Sequence, residues 1–262
     1  MLKGAMHVHS TYSDGEFTLE ELRRAYVAEG CSFVCITDHA EYFDSESLKA
    51  YVQDLQTHSD AHFRFIMGLE YSCDRGMHIL GYGASTLANT TEPQAVIQHI
   101  EAQGAMSVIA HPKDESFPWI EGFDSLPRGI ETWNSKYDGR YAPRPGTFAL
   151  LQRLRQRRPE MRAFYGQDLH WKKQFRGLFV TVDCPSSSTI LSAIAAGKYS
   201  GHKEGLQLPS SGEISPELLA EFGRAHERSH RMWRFFKSSK AALDRAGIRV
   251  PESLKAQLRR IF

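Results

Sequence analysis

The chain has 262 residues, with 32 Lys and Arg against 31 Asp and Glu, 12 His and 4 Cys. That length suits one large α/β domain with room for an appendage, and no apolar run reaches the ~18 residues of a membrane span. A net charge of +1 argues against nucleic-acid binding by bulk attraction, and Cys31, Cys35, Cys73 and Cys184 form no CxxC pair of the zinc or redox kind.

In chain order, Leu2 to His7 reads as a strand that begins without the basic-then-apolar pattern of a signal peptide, so a cytoplasmic location is expected. Thr18-Leu19-Glu20-Glu21 is a capping box ahead of a helix that Gly30 stops. Strands are predicted at Ser32 to Ile36, Phe63 to Leu69, Met106 to Ala110, Gly129 to Trp133, Arg162 to Tyr165 and Gly177 to Val182. Met77 to Tyr82 reads as a further short strand, a hairpin partner of the third. Helical periodicity recurs at Ser45 to Gln56, Glu92 to Gln103, Thr147 to Arg157 and Ser188 to Ala196. This alternation implies parallel βαβ units and a seven-stranded barrel, although an open doubly wound sheet gives the same pattern. Ser200 to Ser215, rich in Gly, Ser and Pro, reads as loop. Pro216 then opens a long helix to about Ala246, and Pro251 a shorter one. From Gly223 onward there are 11 Lys and Arg against 3 Asp and Glu, so a basic tail follows an acidic barrel; a solvated face of a helical hairpin is its favoured reading.

The chemistry lies just beyond the strands. In a (β/α) barrel those positions converge on one rim; here they hold His7 and His9, His39, Glu70, His111, Asn134, then Asp168 and His170. His7-Val8-His9 places two imidazoles on one face of a strand, a chelating arrangement, although an isolated HxH is more often a surface or hydrogen-bonded pair. Ser13-Asp14-Gly15 adds a carboxylate in a turn, and Thr37-Asp38-His39 follows an apolar strand, with Asp38 either a supporting or a structural carboxylate. Glu70 can bridge two divalent ions; a rim salt bridge is its plainer explanation. His78 lies in an apolar stretch where a lone histidine is more often core. Asp168-Leu169-His170 repeats the alternation of the first motif. Nine such donors in strand-end positions point to a metal cluster.

With these residues in view, the chain resembles the PHP (polymerase and histidinol phosphatase) family of metal-dependent phosphoesterases over roughly residues 4 to 203. The resemblance rests on His7-x-His9 with Ser10 and Ser13-Asp14-Gly15, Thr37-Asp38-His39, Gly68-Leu69-Glu70, His78, Ala110-His111-Pro112 and Gly166-x-Asp168-x-His170. It implies a distorted, TIM-like (β/α)7 barrel over residues 1–205, leaving 206–262 as a basic helical extension packed on or beside it. It implies a trinuclear site in which His7, His9, Glu70 and Asp168 hold one ion, Glu70, His78 and His111 a second, and Asp14, His39 and His170 a third. Two or three divalent ions, zinc, manganese or iron, would fill it, with a metal-bridging hydroxide held by Glu70 and Asp168 as nucleophile. Asp14 stands where some relatives have histidine, which favours a harder ion or a weaker third site.

Lys113, Lys136, Arg144, Lys172 and Arg176 are candidates for the substrate phosphate, one or two of the five being expected to serve; Trp133, Tyr137 and Trp171 are candidates for stacking on a leaving group. His202 also falls near the presumed rim. The leading expectation is a stand-alone hydrolase of a small phosphomonoester of the histidinol phosphate, nucleotide or sugar phosphate type. A nuclease or phosphodiesterase guided by the basic tail is less favoured, as is a protein-tyrosine phosphatase, and a non-catalytic metal-stabilised scaffold stands last. No oligomeric state is read from the sequence.

Overall fold

Seven-residue β1 (Leu2–Val8) is buried from Gly4 onward, as expected of a strand covered on both faces. The computed structural model of the chain describes residues 1–138, 142–175 and 177–245. After β1 come α1 (Leu19–Ala28), β2 (Phe33–Ile36), β3 (Asp38–His39), α2 (Ser45–Thr57), β4 (Arg64–Ile66), β5 (Gly68–Ser72), β6 (His78–Tyr82) and α3 (Pro93–Ala102). The second half holds β7 (Met106–Ala110), α4 (Phe117–Glu121), β8 (Gly129–Asn134), α5 (Pro145–Arg155), β9 (Arg162–Leu169) and β10 (Phe179–Val182). It ends with α6 (Ile190–Ala195), β11 (Tyr199–Lys203), β12 (Leu206–Pro209) and α7 (Pro216–Arg245).

Local chemistry accounts for the helix starts. Thr18 Oγ1 accepts from Glu21 N at 3.2 Å and Glu21 Oε2 accepts from Thr18 N at 3.1 Å, the reciprocal cap expected from sequence. Asp44 caps α2, and Glu92 with Pro93 opens α3. Helices α1 to α6 each bury apolar residues; α1 buries Leu19, Leu22 and Tyr26.

The result is a mixed α/β fold around one hydrogen-bonded sheet, with twelve strands and seven helices among the described residues. β1 runs parallel to β2 and β9, and β8 runs parallel to β7 and β9. β6 pairs antiparallel with both β5 and β7, so the expected hairpin interrupts the parallel series.

Three expectations change. The third predicted strand, Phe63 to Leu69, divides at Met67: β4 pairs with β2 and β5 pairs with β3. Gly68 permits the crossing, since a Cβ there would lie 2.9 Å from the Ile36 carbonyl oxygen. The seventh predicted strand, seen as β10, runs antiparallel to β1 and leads outward to β11 and β12. Of the stretch 200–215 read as loop, residues 210–215 are irregular as expected, but 200–209 complete this hairpin, because strand pairing satisfies backbone groups that composition alone assigns to solvent. The hairpin crosses the expected division at 205/206 and keeps β12 in the sheet. α7 bears out the helix from Pro216; Phe222 is buried beside Phe148 of α5, their ring centroids 6.4 Å apart. The second tail helix, from Pro251, lies outside the described residues. Among the described residues no helix is long and apolar enough to cross a membrane.

Candidate metal centre

The centre is assembled where strands end irregularly. β1 slips register between Met6 and Val8 against both β2 and β9, and His7, at the slip, has φ 58°. His111 after β7 has φ 29° and Asp168 on β9 has φ 50°. Left-handed backbone at residues with a Cβ costs roughly 1–3 kcal/mol each and is typically stored at functional sites. These irregularities turn three side chains into one pocket that regular strands would not fill.

Glu70, on β5 and 1% exposed, is the hub. Its Oε2 lies 3.2 Å from His7 Nε2, 3.1 Å from His9 Nε2 and 3.5 Å from His39 Nε2. Its Oε1 lies 2.8 Å from His78 Nδ1 and 3.4 Å from His111 Nε2. Asp168 faces it: Oδ1 is 3.8 Å from His7 Nε2 and from His9 Nε2 and 3.1 Å from His170 Nδ1, while Oδ2 is 3.7 Å from His111 Nε2. Asp14 closes the far side, 3.2 Å from His170 Nε2, 3.8 Å from His39 Nε2 and 3.9 Å from His9 Nδ1. All nine sequence-predicted donors therefore meet in one place.

Their donor atoms form three tight sets, each within 4.8 Å: His9, Asp14, His39 and His170; His7, His9 and Asp168; and His7, Glu70 and His111. The grouping differs from the expected one: Glu70 is absent from the His7, His9 and Asp168 set, and His7 stands with Glu70 and His111. His9 reaches the Asp14 set, and His78 stands outside the sets, hydrogen-bonded to Glu70. The donors fit divalent ions: His9 is fully buried, yet neither ring nitrogen makes a hydrogen bond, although Nε2 lies 3.1 Å from Glu70 Oε2 and Nδ1 3.9 Å from Asp14. Such orphaned polar atoms are costly unless something else occupies them, and neutral imidazoles with carboxylates are suitable ligands for zinc, manganese or iron.

The sequence of this region matches the model of the PHP domain over residues 5–166. The chain belongs to the PHP domain family. A 77-residue stretch of this PHP protein is 32% identical to the DNA polymerase/3'-5' exonuclease PolX of Bacillus subtilis (strain 168), covering 26% of the chain and 14% of that protein. Among solved structures, it is similar to a two-domain protein from Bacteroides vulgatus ATCC 8482 that contains a predicted PHP-like metal-dependent phosphoesterase. The TM-score is 0.58 at 16% identity, covering 79% of this chain and 66% of that one, a likeness of fold. The chain thus spans only part of both proteins.

Sequence reasoning missed the residue that braces this PHP centre, Glu131 on β8. Fully buried, it accepts from His111 N at 2.9 Å, lies 2.8 Å from His7 Nδ1 and accepts from Asn134 Nδ2 at 2.9 Å. Asn134, picked out as a strand-end residue, also donates to Asp168 Oδ2 at 3.2 Å. Glu131 and Asn134 together grip all three left-handed donors. Gly166 makes the space: a Cβ there would overlap Glu131 Oε1. A buried carboxylate inside an apolar strand was the available signal. Asp38 is structural, accepting from Ser10 N, Ser10 Oγ and Ser13 Oγ at 2.7, 2.7 and 2.6 Å, which ties the Asp14 turn to β3.

Charge in the centre is tightly coupled. Burial alone depresses the His7 imidazole, but Glu131, Glu70 and Asp168 outweigh it and hold the pKa well above the usual value. Burial likewise opposes ionisation of Glu70 and Asp168, yet His7 and the other histidines hold both carboxyls well below the usual range. His9 goes the other way, its pKa lowered by burial. On the Asp14 side, burial is outweighed again: His170 is raised to about 9 by Asp14 and Asp168, and Asp14 is lowered to about 2 by His170.

The five candidate phosphate contacts separate. Lys136 joins the centre, its Nζ 3.1 Å from Asp168 Oδ1 and 3.2 Å from His170 Nδ1. Lys113 and Arg144 line an adjoining cavity with His78 and His111. Lys172 is a correction: its ammonium pairs with Glu21 of α1 at 2.6 Å, so proximity in sequence to His170 misled. Arg176 lies outside the described residues. Trp133 is buried packing, whereas Tyr137 lies tilted against His111, with ring centroids 4.7 Å apart, and Trp171 against His170, at 5.8 Å. His202 sits on β11 against Ser200 and joins none of the donor sets.

Proposed function

We propose that this PHP protein hydrolyses a small phosphomonoester at a centre holding two or three divalent ions of the zinc, manganese or iron kind. The observation that carries this is the convergence of nine donors on one buried pocket, eight of them in three overlapping sets and the ninth, His78, bonded to Glu70. His7, His9, Glu70 and Asp168 would hold one ion, with Glu70 shared toward His111 and His78, and Asp14, His39 and His170 completing the other side. When bound, the ions supply Lewis acidity toward phosphoryl oxygens and a nucleophile at neutral pH. Glu131 and Asn134 keep the donors aligned, so little reorganisation is needed during reaction. Lys136, whose ammonium already faces Asp168 and His170, is placed to take a phosphoryl oxygen. Tyr137 and Trp171 flank the mouth of the centre.

The barrel reading has support in the strand pairings. If β2 with β3, and β4 with β5, each count as one interrupted strand, pairing runs from β1 through these to β6, β7, β8, β9 and back to β1. That circuit has the seven strands of a distorted (β/α)7 barrel, with β10 to β12 as an outer flap.

Purified protein supplied with manganese or zinc should release phosphate from 4-nitrophenyl phosphate, and His9→Ala or Asp168→Ala should abolish the release. A nuclease reading draws on the 32% identity to the Bacillus subtilis polymerase/exonuclease. Cleavage of single-stranded DNA or of a diester, with no action on monoesters, would replace the first reading with this second one.

A further inference from the structure

A cavity of about 540 Å³ opens beside the metal centre, with His78 and His111 on one wall. Its rim is basic. Arg75, Lys113 and Arg144 line it, against one carboxylate, Glu115. Arg144 is committed already: its guanidinium bonds Asp138, Asp114 Oδ1 at 3.1 Å and the Pro112 carbonyl at 2.7 Å. Arg75 and Lys113 have no ion-pair partner among the described residues. Both are exposed.

The two free cations are held by the same elements as the metal donors. Arg75 is at the tip of the β5–β6 hairpin, whose strands carry Glu70 and His78. It has φ 57°, and Gly76 beside it has φ 66°. That tight turn, closed by Cys73 N donating to the Met77 carbonyl at 2.8 Å, lays the guanidinium over the Trp119 ring, 4.4 Å from its centroid. A strained backbone and a cation–π contact both keep the charge at the rim instead of letting it swing into solvent. Lys113 follows His111 by one residue, Pro112, which restricts the turn between them. At 3.3–3.6 Å per residue, the Cα atoms of Arg75 and Lys113 lie no more than about 11 and 7 Å from those of His78 and His111.

We propose that this cavity receives the leaving portion of the substrate and that Arg75 and Lys113 bind a second anionic group on it, a carboxylate or a second phosphate. The inference rests on the phosphomonoesterase reading and narrows it. The phosphoryl group under attack would be served by the donors around Glu70 and by Lys136, which leaves the two further cations on the cavity rim available to a second anion. The short distance from the donors implies a compact leaving group. A cationic leaving group, such as the amine of a histidinol-type ester, would meet like charge at Arg75 and Lys113.

The test compares phenyl phosphate, 4-carboxyphenyl phosphate and 4-(aminomethyl)phenyl phosphate on the metal-loaded protein. Expected is a preference in kcat/KM for the carboxylate and against the amine. In Arg75→Ala and Lys113→Ala the ratio of carboxyphenyl to phenyl ester should fall about tenfold each, through KM, the scale of one charge-assisted hydrogen bond. Arg75→Lys should retain most of the ratio and Glu115→Gln should raise it. Because each protein is scored by a ratio of two substrates, a variant that folds less well lowers both rates and leaves the ratio readable. Equal ratios in all variants, or a wild-type preference for the amine, would overturn the inference while leaving the phosphomonoesterase reading in place. If none of the three esters is hydrolysed, the phosphomonoesterase reading fails and takes the inference with it.

Discussion

The Glu70 side of the centre and the Asp14 side are built on different principles. Glu70, His7, His111 and Asp168 come from strands or their ends, exclude solvent or nearly so, and include three left-handed residues braced by Glu131 and Asn134. Asp14 belongs to a turn, has a side chain 39% exposed, and is steadied through Ser10 and Ser13 on Asp38. Strain and burial on the first side commit the backbone to one geometry before any ion arrives; the second side keeps a carboxylate that water and protons can reach. The difference implies one firmly held part of the cluster and one exchangeable part.

The largest effect expected is on the committed side. Glu70→Ala removes the carboxylate shared by five histidines and should lower phosphate release by roughly 10³-fold, with bound metal lost on elemental analysis. If Asp14→Ala costs as much, the asymmetry does not exist. Next comes the brace. Glu131→Ala leaves every donor in the chain yet should weaken metal binding about 10- to 100-fold in a chelator competition; unchanged affinity would mean that the strained residues hold themselves. Asp14→Ala should cost about tenfold in rate, within the lower range for metal-site carboxylates, and release one equivalent of metal while the others stay.

The smallest effect concerns protons. His170, at about 9 in the metal-free protein, is protonated at neutral pH, so an ion on the Asp14 side must displace that proton. Affinity there should rise with pH, by at most about tenfold per unit, and level off near pH 9. The sign is opposite for the metal-free fold. A histidine whose pKa rises on folding from 6.5 to about 9 adds stability that is full below 6.5 and lost as pH climbs through about 9. Metal titrations by calorimetry and thermal melts of the metal-free protein, both between pH 6.5 and 9, should therefore move in opposite directions. Parallel movement would place the exchangeable proton elsewhere.

Much of the centre was legible beforehand because most donors follow or end an apolar strand, where a polar side chain has few structural explanations; Asp14, in a turn, and His78, at the start of β6, stood out only in that company. Glu131 escaped that logic. It sits inside Ile130-Glu131-Thr132-Trp133, and only the packing of β8 between β7 and β9 brings its carboxylate between His7 and His111. Lys172 failed in the opposite way: it neighbours His170 in sequence, but its four-carbon side chain reaches Glu21. The hairpin of β11 and β12 was hidden by Gly, Ser and Pro, since its pairing depends on β10, a partner distant in sequence from neither end yet invisible to composition.

The order of histidines and carboxylates, each tied to its strand, was determined by the sequence alone, because a period of two and an abrupt polar boundary are local properties. Which donors lie close enough to share an ion was decided only in three dimensions. His9 joins Asp14 as well as Asp168, and His78 turns to Glu70 alone, because register slips and left-handed backbone at His7, His111 and Asp168 aim the side chains. Those irregularities arise from contacts between strands far apart in the chain, and no local pattern encodes them. The near-neutral charge of the whole chain likewise conceals what the fold sets side by side: a buried anionic and imidazole centre, and a cationic rim waiting beside it.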